Sequence, residues 1–373
     1  MRKKFAIIIT FICILFIPIL ISVIIEFTPK TIKATKKAND NQVGEPQKTT
    51  EHISLQNQNK ALIDKKAFMQ QLNTKANAAS PLKIKTYDGF NQPMHPDVVY
   101  IDSGFHGYKY WMAYTPYPYQ VDLYENPCIA VSNDGISWTV PKGLKNPLVQ
   151  PPDDSKEGGH YSDTDIVFNN GKLEVYFVYN KRNIEGPSKF YKVISSDGVS
   201  WSKPELIYQC AKPLSGYSPA FMKSSDGYKM WYISEGNMMF FSTSSDSKSW
   251  SQPLKCNIKI DNWIVWHVDV IKTEMGYEGL LCAKDINIEN RALFYIKSSD
   301  GINWTSSPNP VIYPSENGWD SSEIYRSTMT KQNGLYRVWY SAKDFSKKWH
   351  IGYTESKNIE SLQGVKEILQ VRK

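Results

Sequence analysis

Polar and ionisable side chains stand at the start of five apolar, β-rich segments of the sequence. Carboxylates that meet at one place repel one another, so at least one is expected to have a raised pKa and to act as an acid at neutral pH. A neighbouring carboxylate can then activate water or attack a sugar, which is the chemistry of glycosidic bond cleavage. The five pairs are His95 and Asp97, Asp163 and Asp165, Tyr217 and Ser218, His267 and Asp269, and Glu323 and Arg326.

A repeated unit must position these residues. One element reads SNDGISW at 132–138, SSDGVSW at 195–201, SSDSKSW at 244–250 and SSDGINW at 298–304, with a degraded copy, TESKNIE, at 354–360. β-rich segments precede and follow each copy, four to a unit. A sheet of four antiparallel strands cannot bury both faces alone, and radial packing of the copies buries them. The sequence therefore predicts an all-β fold, a five-bladed β-propeller of four-stranded antiparallel blades.

The first strand of each blade is predicted to run from the top face down the central channel, so that the five strand starts converge on the channel mouth. The SxDGxxW turns then lie at the opposite end. They are predicted to be architectural, because Asp and Gly suit a tight turn and Trp can pack between blades. Loops at the top face add two more side chains. The predicted substrate-binding residues are His95, Asp163, Tyr117, Arg182, Tyr217, His267 and Arg326.

The five repeats, the Asp at the start of the first and the SxDGxxW turns resemble the five-bladed propeller glycosidases. These are the arabinanase and β-xylosidase type (glycoside hydrolase family 43) and, more distantly, the invertase and levansucrase type. The resemblance covers about residues 81–373 and implies a base or nucleophile, a supporting Asp and an acid. It implies Asp97 as base or nucleophile and Asp165 as the supporting carboxylate. Glu323 or Asp269 would be the proton donor.

Other functions remain open on the same residues. A non-catalytic carbohydrate-binding or scaffold propeller would use the acids to hydrogen-bond sugar hydroxyls without cleavage. The SxDGxxW element also resembles the sialidase Asp-box, although it is one residue shorter and an arginine triad is not visible. We therefore expect a polysaccharide or oligosaccharide as partner and hydrolysis of O-glycosidic bonds as the reaction. The sugar, the linkage and the oligomeric state do not follow from the sequence.

The N-terminal part of the chain differs in composition from the rest. Residues 5–25 carry no charge, and as a helix they would span about 31 Å, enough to cross a bilayer core. We expect residues 1–27 to form a membrane anchor or an uncleaved signal, and residues 28–80 a polar, basic and partly helical stalk. Residues 81–373 would then form the propeller, held on the extracytoplasmic side of the cell membrane by a single pass.

Charge and cysteine usage narrow the function classes further. Residues 1–85 carry 14 basic and 5 acidic side chains, net +9, and the rest of the chain carries 30 basic and 32 acidic, net −2. The near-neutral propeller therefore offers no electrostatic surface for nucleic acid. The histidines are dispersed and the cysteines show no CxxC spacing, so the sequence predicts buried thiols, no metal site and no cofactor. Those cysteines are Cys128, Cys210, Cys256 and Cys282.

Overall fold

The computed structural model describes most of the chain beyond the predicted stalk. Residues 1–79, which hold the predicted anchor and nearly all of the stalk, lie outside the described part. Within that part, no helix has the length and apolar character needed to cross a membrane. The described residues are 80–181, 187–210, 216–234, 236–286, 290–315, 317–360 and 362–364.

Five antiparallel sheets follow one another along the described chain, and in each sheet the strand order is the sequence order. Successive segments therefore pair as neighbours, which short turns between antiparallel strands allow. The five sheets are β1 (Pro93–Phe105), β2 (Tyr108–Pro116) and β3 (Cys128–Ser132); β4 (Gly159–Asn169), β5 (Lys172–Lys181), β6 (Lys189–Ser195) and β7 (Glu205–Gln209); β8 (Gly216–Ser224), β9 (Gly227–Ser234), β10 (Met238–Ser244) and β11 (Leu254–Lys255); β12 (Trp263–Thr273), β13 (Gly276–Asp285), β14 (Arg291–Ser298) and β15 (Thr305–Ser306); and β16 (Glu323–Gln332), β17 (Leu335–Lys343), β18 (Trp349–Ser356) and β19 (Gln363–Gly364).

The predicted five-bladed, all-β propeller of antiparallel blades is confirmed. The second to fifth sheets have four strands, whereas the first has three. In place of a fourth strand, Thr139 pairs with Val131 through an isolated bridge. Short 3-10 helices, Pro118–Gln120, Asp122–Tyr124 and Ser155–Glu157, lie in the connections.

The blades close into a ring through their first strands. β1, β4, β8, β12 and β16 contact one another in that cyclic order, and β16 returns to β1. Five clusters of buried hydrophobic side chains fill the interfaces between successive blades. The four cysteines within the described residues are buried free thiols, as predicted; two of them lie in blade strands and two directly follow one. Burial of these apolar faces is the main driving force for the fold.

The SxDGxxW turns are architectural, as the sequence predicts. In the turn of the first blade, Asp134 Oδ1 accepts hydrogen bonds from the backbone N–H groups of Ile136 and Ser137. The carbonyl oxygen of Gly135 in the same turn accepts a hydrogen bond from Trp339 Nε1 of the fifth blade at 2.8 Å. The same contact joins Trp231 of the third blade to the turn of the fourth. Each of these turns therefore fastens its blade to the preceding one.

Side-chain oxygens on the five first strands connect each blade to the next along the channel. Each oxygen accepts a hydrogen bond from a backbone N–H of the following first strand, and we call these five contacts the inter-blade bonds. They are Ile166 N to Asp97 Oδ2 (2.6 Å), Phe221 N to Asp165 Oδ2 (3.2 Å), Val268 N to Ser218 Oγ (3.1 Å), Met329 N to Asp269 Oδ2 (2.8 Å) and Val98 N to Thr328 Oγ1 (3.3 Å).

The bond that closes the ring can be removed with little change of shape. Thr328 Oγ1 accepts from Val98 N and donates to Asp97 Oδ1. Thr328→Val leaves both buried groups unpaired, and we expect the free energy of unfolding to fall by about 1–3 kcal/mol. Urea unfolding of the full chain, followed by tryptophan fluorescence, measures this change. Thr328→Ser keeps the hydroxyl and should lose less stability, so a valine variant as stable as the wild type would contradict the role assigned to the bond.

Candidate functional site

Every first strand contains a register irregularity close to its start. In β1 it falls between Met94 and Asp97, and the other four first strands have theirs at the equivalent level. A bulge of this kind re-aims side chains, and bulges are common beside active sites. Three non-glycine residues there have positive φ, a backbone region that costs energy and is retained mainly where function requires it. They are His95 (52°), Asp163 (50°) and Ser218 (50°).

The bulges place two layers of side chains at the channel axis. We call the layer nearer the strand starts the upper ring and the layer two residues further along the lower ring. All ten residues are at most 6% exposed. The upper ring consists of His95, Asp163, Ser218, His267 and Arg326, and the lower ring of Asp97, Asp165, Ala220, Asp269 and Thr328.

Asp163 connects three members of the upper ring. Its Oδ1 lies 3.4 Å from His95 Nε2, 3.4 Å from His267 Nδ1 and 3.5 Å from Arg326 Nη1. One ligand atom from each of the two histidines and Asp163 lies within 4.8 Å of the others. Asp163 Oδ1 and both ring nitrogens of His267 are buried without a hydrogen-bond partner. Because buried polar atoms are normally satisfied, the unpaired atoms of Asp163 and His267 indicate a missing ligand, and one atom from each of the three residues fits the ligand set of a metal ion such as zinc, manganese or iron.

The protonation states also suit metal binding. Burial lowers the pKa of His267 well below its ordinary value, so the ring is neutral and its nitrogen lone pair is available at neutral pH. Burial alone would raise the pKa of Asp163, but the neighbouring His95, His267 and Arg326 outweigh it and hold that pKa below its usual range. Asp163 is therefore a carboxylate, and Asp163 and His267 can act as ligands without first losing a proton.

A buried carboxylate orients one of the two histidines. Glu125 Oε1 lies 3.0 Å from His95 Nδ1, and Thr115 Oγ1 lies 3.0 Å from the same nitrogen. The opposite nitrogen, Nε2, therefore faces Asp163. Histidines that bind metals usually have a partner of this kind on their second nitrogen, which sets the tautomer and the ring direction. Glu125 lies between two short 3-10 helices and β3, in a loop whose sequence signals no such role.

A cavity of about 300 Å³ opens at the upper ring. Trp266 Nε1 donates to the hydroxyl of Tyr325 at 3.1 Å, and the Tyr325 ring centroid lies 4.2 Å from that of His267. Aromatic walls with a few convergent polar groups are typical of a small-ligand pocket. The lining residues are Asp163, Asn180, Ser188, Tyr217, Trp266, His267 and Tyr325.

The predicted catalytic aspartates meet in the lower ring. Asp97, Asp165 and Asp269 all accept inter-blade bonds. They line a second cavity, of about 350 Å³, together with the residues that follow them along the strands. Burial raises the pKa of all three, to about 7 for Asp269, where the neighbouring Asp97 adds to the effect. The structure thus brings the three acids together beneath the upper ring, and their catalytic roles stay predictions.

The fourth predicted catalytic residue lies elsewhere. Glu323 is the first residue of β16 and forms ion pairs with Arg291 and Lys343. Arg291 in turn lies over the ring of Trp266, 4.6 Å from its centroid. Within the described residues, the ion pairs of Glu323 therefore involve neither ring, and its role as proton donor also stays a prediction.

Most of the predicted substrate-binding residues converge. His95, Asp163, His267 and Arg326 lie in the upper ring, and Tyr217 lines the cavity above it. Tyr117 is placed beside them less directly. Its hydroxyl donates to Asp122 Oδ1 and its ring centroid lies 6.3 Å from that of Trp349. Arg182 lies outside the described residues.

Three features of the site were not predicted from the sequence. They are the metal-ligand geometry of the upper ring, the contact of Glu125 with His95 and the place of Tyr325 beside His267. Distance along the chain concealed the histidine pair, because spacing rules recognise only ligands that are close in sequence. One signal was present. The pattern His-x-Asp occurs at 95–97 and again at 267–269, at equivalent positions of two first strands, and a propeller brings such positions to one axis.

Comparisons with known proteins agree with the fold. No protein-family model matches the chain. A curated A type blood N-acetyl-α-D-galactosamine deacetylase from Flavonifractor plautii is 27% identical over 354 residues, covering 73% of this chain and 46% of that protein. The chain thus spans about half the length of this curated relative.

Matches to solved structures also agree with the propeller fold. The crystal structure of an N-acetylgalactosamine deacetylase from F. plautii, in complex with blood group B trisaccharide, has a TM-score of 0.67 at 24% identity, covering 77% of this chain and 96% of that chain. A thermostable family-43 glycoside hydrolase has a TM-score of 0.55 at 14% identity, covering 75% and 93%. At these identities the matches show the fold alone. The predicted likeness to the family-43 propellers is confirmed at that level.

The ligand set of the upper ring can be tested by metal binding. The purified full chain, stripped by a chelator, should bind Zn²⁺ in a calorimetric titration. His267→Ala removes one of three ligands, and we expect the affinity to fall by at least about tenfold. His106→Ala is the matched control, since His106 is exposed and its ring nitrogen pairs with the Ser196 carbonyl. Equal affinities in the two variants would rule out His267 as a ligand.

Proposed function

We propose that this protein is a metal-dependent hydrolase that removes an acetyl group from an N-acetylated sugar. The observation that carries the proposal is the trio of His95, Asp163 and His267, which lies beside an aromatic cavity and has unpaired buried atoms on Asp163 and His267. Likeness to a curated N-acetylgalactosamine deacetylase supports the reaction and the class of substrate.

The residues of the site suit amide hydrolysis. A divalent ion held by the trio would supply Lewis acidity toward the amide carbonyl and the attacking water. Glu125 keeps His95 turned toward Asp163. Burial raises the pKa of Tyr325, so its hydroxyl keeps its proton. Because that oxygen accepts from Trp266 Nε1, its O–H can donate to the negative charge that develops on the carbonyl oxygen.

The cavity walls favour a sugar as the group that enters. Tyr217 and Trp266 have ring centroids 5.6 Å apart, and flat apolar faces of this kind stack on the C–H faces of a pyranose. Ser188, which also lines the cavity, donates to Asn180 Oδ1 at 2.6 Å. These polar groups can exchange that bond for sugar hydroxyls. The arrangement holds one sugar unit while its acetamido group faces the upper ring.

Glycosidic bond cleavage is the second candidate. The close spacing of Asp97, Asp165 and Asp269 favours it, since paired carboxylates perform that reaction. However, each of the three has an oxygen committed to a backbone N–H of the next blade. The deacetylase proposal accounts for Asp163 Oδ1 and the ring nitrogens of His267, which are buried and unpaired. A binding propeller without catalysis is the remaining alternative.

We also propose that the propeller is tethered to the cell membrane by residues 1–27 and acts outside the cytoplasm, on cell-envelope or extracellular polysaccharide. The uncharged segment 5–25 supports this location. Protease digestion of intact and of broken cells tests it. Cleavage of the propeller in intact cells is expected, and protection until lysis would contradict the proposed side.

The reaction is tested by measuring acetate and reducing sugar in parallel. The full chain is incubated with α-N-acetylgalactosaminide and N-acetylglucosamine oligosaccharides. We expect acetate release that a chelator abolishes and Zn²⁺ or Mn²⁺ restores. Asp163→Asn should lower the rate by at least about a hundredfold, because even changes in the outer shell of a metal site cost up to that factor. Asp197→Asn, in the turn of the second blade, is the matched control.

Two outcomes would contradict the deacetylase proposal. Release of reducing sugar without acetate, lost in Asp97→Asn and Glu323→Gln, would establish a glycosidase. Binding of the oligosaccharides with neither product would establish a carbohydrate-binding propeller.

A further inference from the structure

We propose that the lower ring binds a second cation, of the hard, oxygen-preferring class and of the size of Ca²⁺, through Asp97, Asp165 and Asp269. This site is distinct from the metal site of the upper ring and does not depend on the proposed reaction. The cation would link the first, second and fourth blades at the propeller axis. Its role would be to hold the ring of blades closed.

The spacing of the three carboxylates suits Ca²⁺. One oxygen from each lies within 4.8 Å of the others. Ca²⁺ binds oxygens at about 2.4 Å, so ligands on opposite sides of the ion are about 4.8 Å apart. The three oxygens can therefore surround one ion without movement of the strands. All three side chains are at most 6% exposed, so bulk water does not screen them.

The described residues place little positive charge beside the three acids of the lower ring. The nearest cation is Arg326, whose Nη2 lies 3.8 Å from Asp165 Oδ2. Arg326 is shared with the upper ring, since its Nη1 lies 3.5 Å from Asp163, and its Nη2 also donates to the carbonyl of Pro219. Buried charge without a partner is strongly unfavourable. A divalent cation bound at the lower ring would give the three acids a positive partner in their ionised state.

A buried unpaired atom points to the same place. Asp165 is 2% exposed, and its Oδ1 has no hydrogen-bond partner. Its Oδ2 accepts from the backbone N–H of Phe221, which fixes the orientation of the carboxylate. Buried oxygens normally have a hydrogen-bond partner. An unpaired oxygen within a cluster of acids, such as Asp165 Oδ1, is therefore suited to bind a cation. The backbone therefore holds Asp165 with one oxygen ready to coordinate.

The lower cavity gives access and room for water. Its volume is about 350 Å³, and the three aspartates and Thr328 are among its lining residues. Water entering there can complete the six to eight oxygens that Ca²⁺ prefers. Among the described residues at the cavity, Lys331 forms its ion pair with Glu278, and none of the lysines pairs with the aspartates. The ligand set consists only of oxygens, so it selects against zinc, which suits the imidazoles of the upper ring.

The proposal is tested by calcium binding and by stability. The full chain is stripped with a chelator and titrated with Ca²⁺ by calorimetry, and thermal unfolding is recorded with and without the ion. We expect one Ca²⁺ per chain and a higher midpoint of unfolding when the ion is present. Asp165→Asn keeps an oxygen for Phe221 N–H and should weaken binding by at least about tenfold. Asp97→Asn should do the same, and near-ultraviolet circular dichroism shows that each variant is folded.

Matched variants separate this site from the upper ring. Asp102→Asn removes an exposed carboxylate further along β1, paired only with Tyr100 in the described contacts, and should bind Ca²⁺ as the wild type does. His267→Ala should also leave Ca²⁺ binding unchanged. The absence of binding of Ca²⁺ and Mg²⁺ in a chain that still binds Zn²⁺ would overturn the lower-ring site and leave the proposed reaction intact. Binding that survives in both Asp165→Asn and Asp97→Asn would also overturn it.

Discussion

The inter-blade bonds are the constraint on which the rest of the structure depends. The first strand of every blade pairs with its second strand on one side only, so its other edge presents backbone N–H groups to the channel. Edge groups of this kind must find acceptors when they are buried. Side-chain oxygens of Asp97, Asp165, Ser218, Asp269 and Thr328 provide them across all five junctions. Closure of the propeller and the concentration of acids at its axis therefore have one cause.

The upper ring is built on the same strands by a different device. A bulge at each strand start turns a second side chain toward the axis, two residues before the residue of the lower ring. Two histidines and Asp163 meet there, with unpaired atoms on His267 and Asp163. Arg326 lies between the two layers with contacts to Asp163 and Asp165. Four of the five inter-blade acceptors therefore lie in the lower ring and the fifth, Ser218, in the upper ring. The histidines and Asp163 of the upper ring are left for chemistry.

The propeller could be predicted from the sequence because each repeated motif is short and can be recognised on its own. The SxDGxxW turns satisfy their own backbone within a few residues, as at Asp134, and so could be recognised one at a time. The site follows from closure, which brings His95 beside His267 only after five blades are in place. The inter-blade role of Asp165 depends on a backbone N–H of the next blade, a partner without a sequence signature. Glu125 comes from an irregular loop, so periodicity gave no indication of it.

The central claim is that the upper ring binds a metal ion, and its most direct test is anomalous diffraction. Crystals of the full chain grown with Zn²⁺ or Mn²⁺ are measured on both sides of the metal absorption edge. We expect an anomalous peak about 2.0–2.2 Å from His95 Nε2, an oxygen of Asp163 and a ring nitrogen of His267. A map with no peak among these three residues, in crystals where the ion is present elsewhere, would contradict the claim.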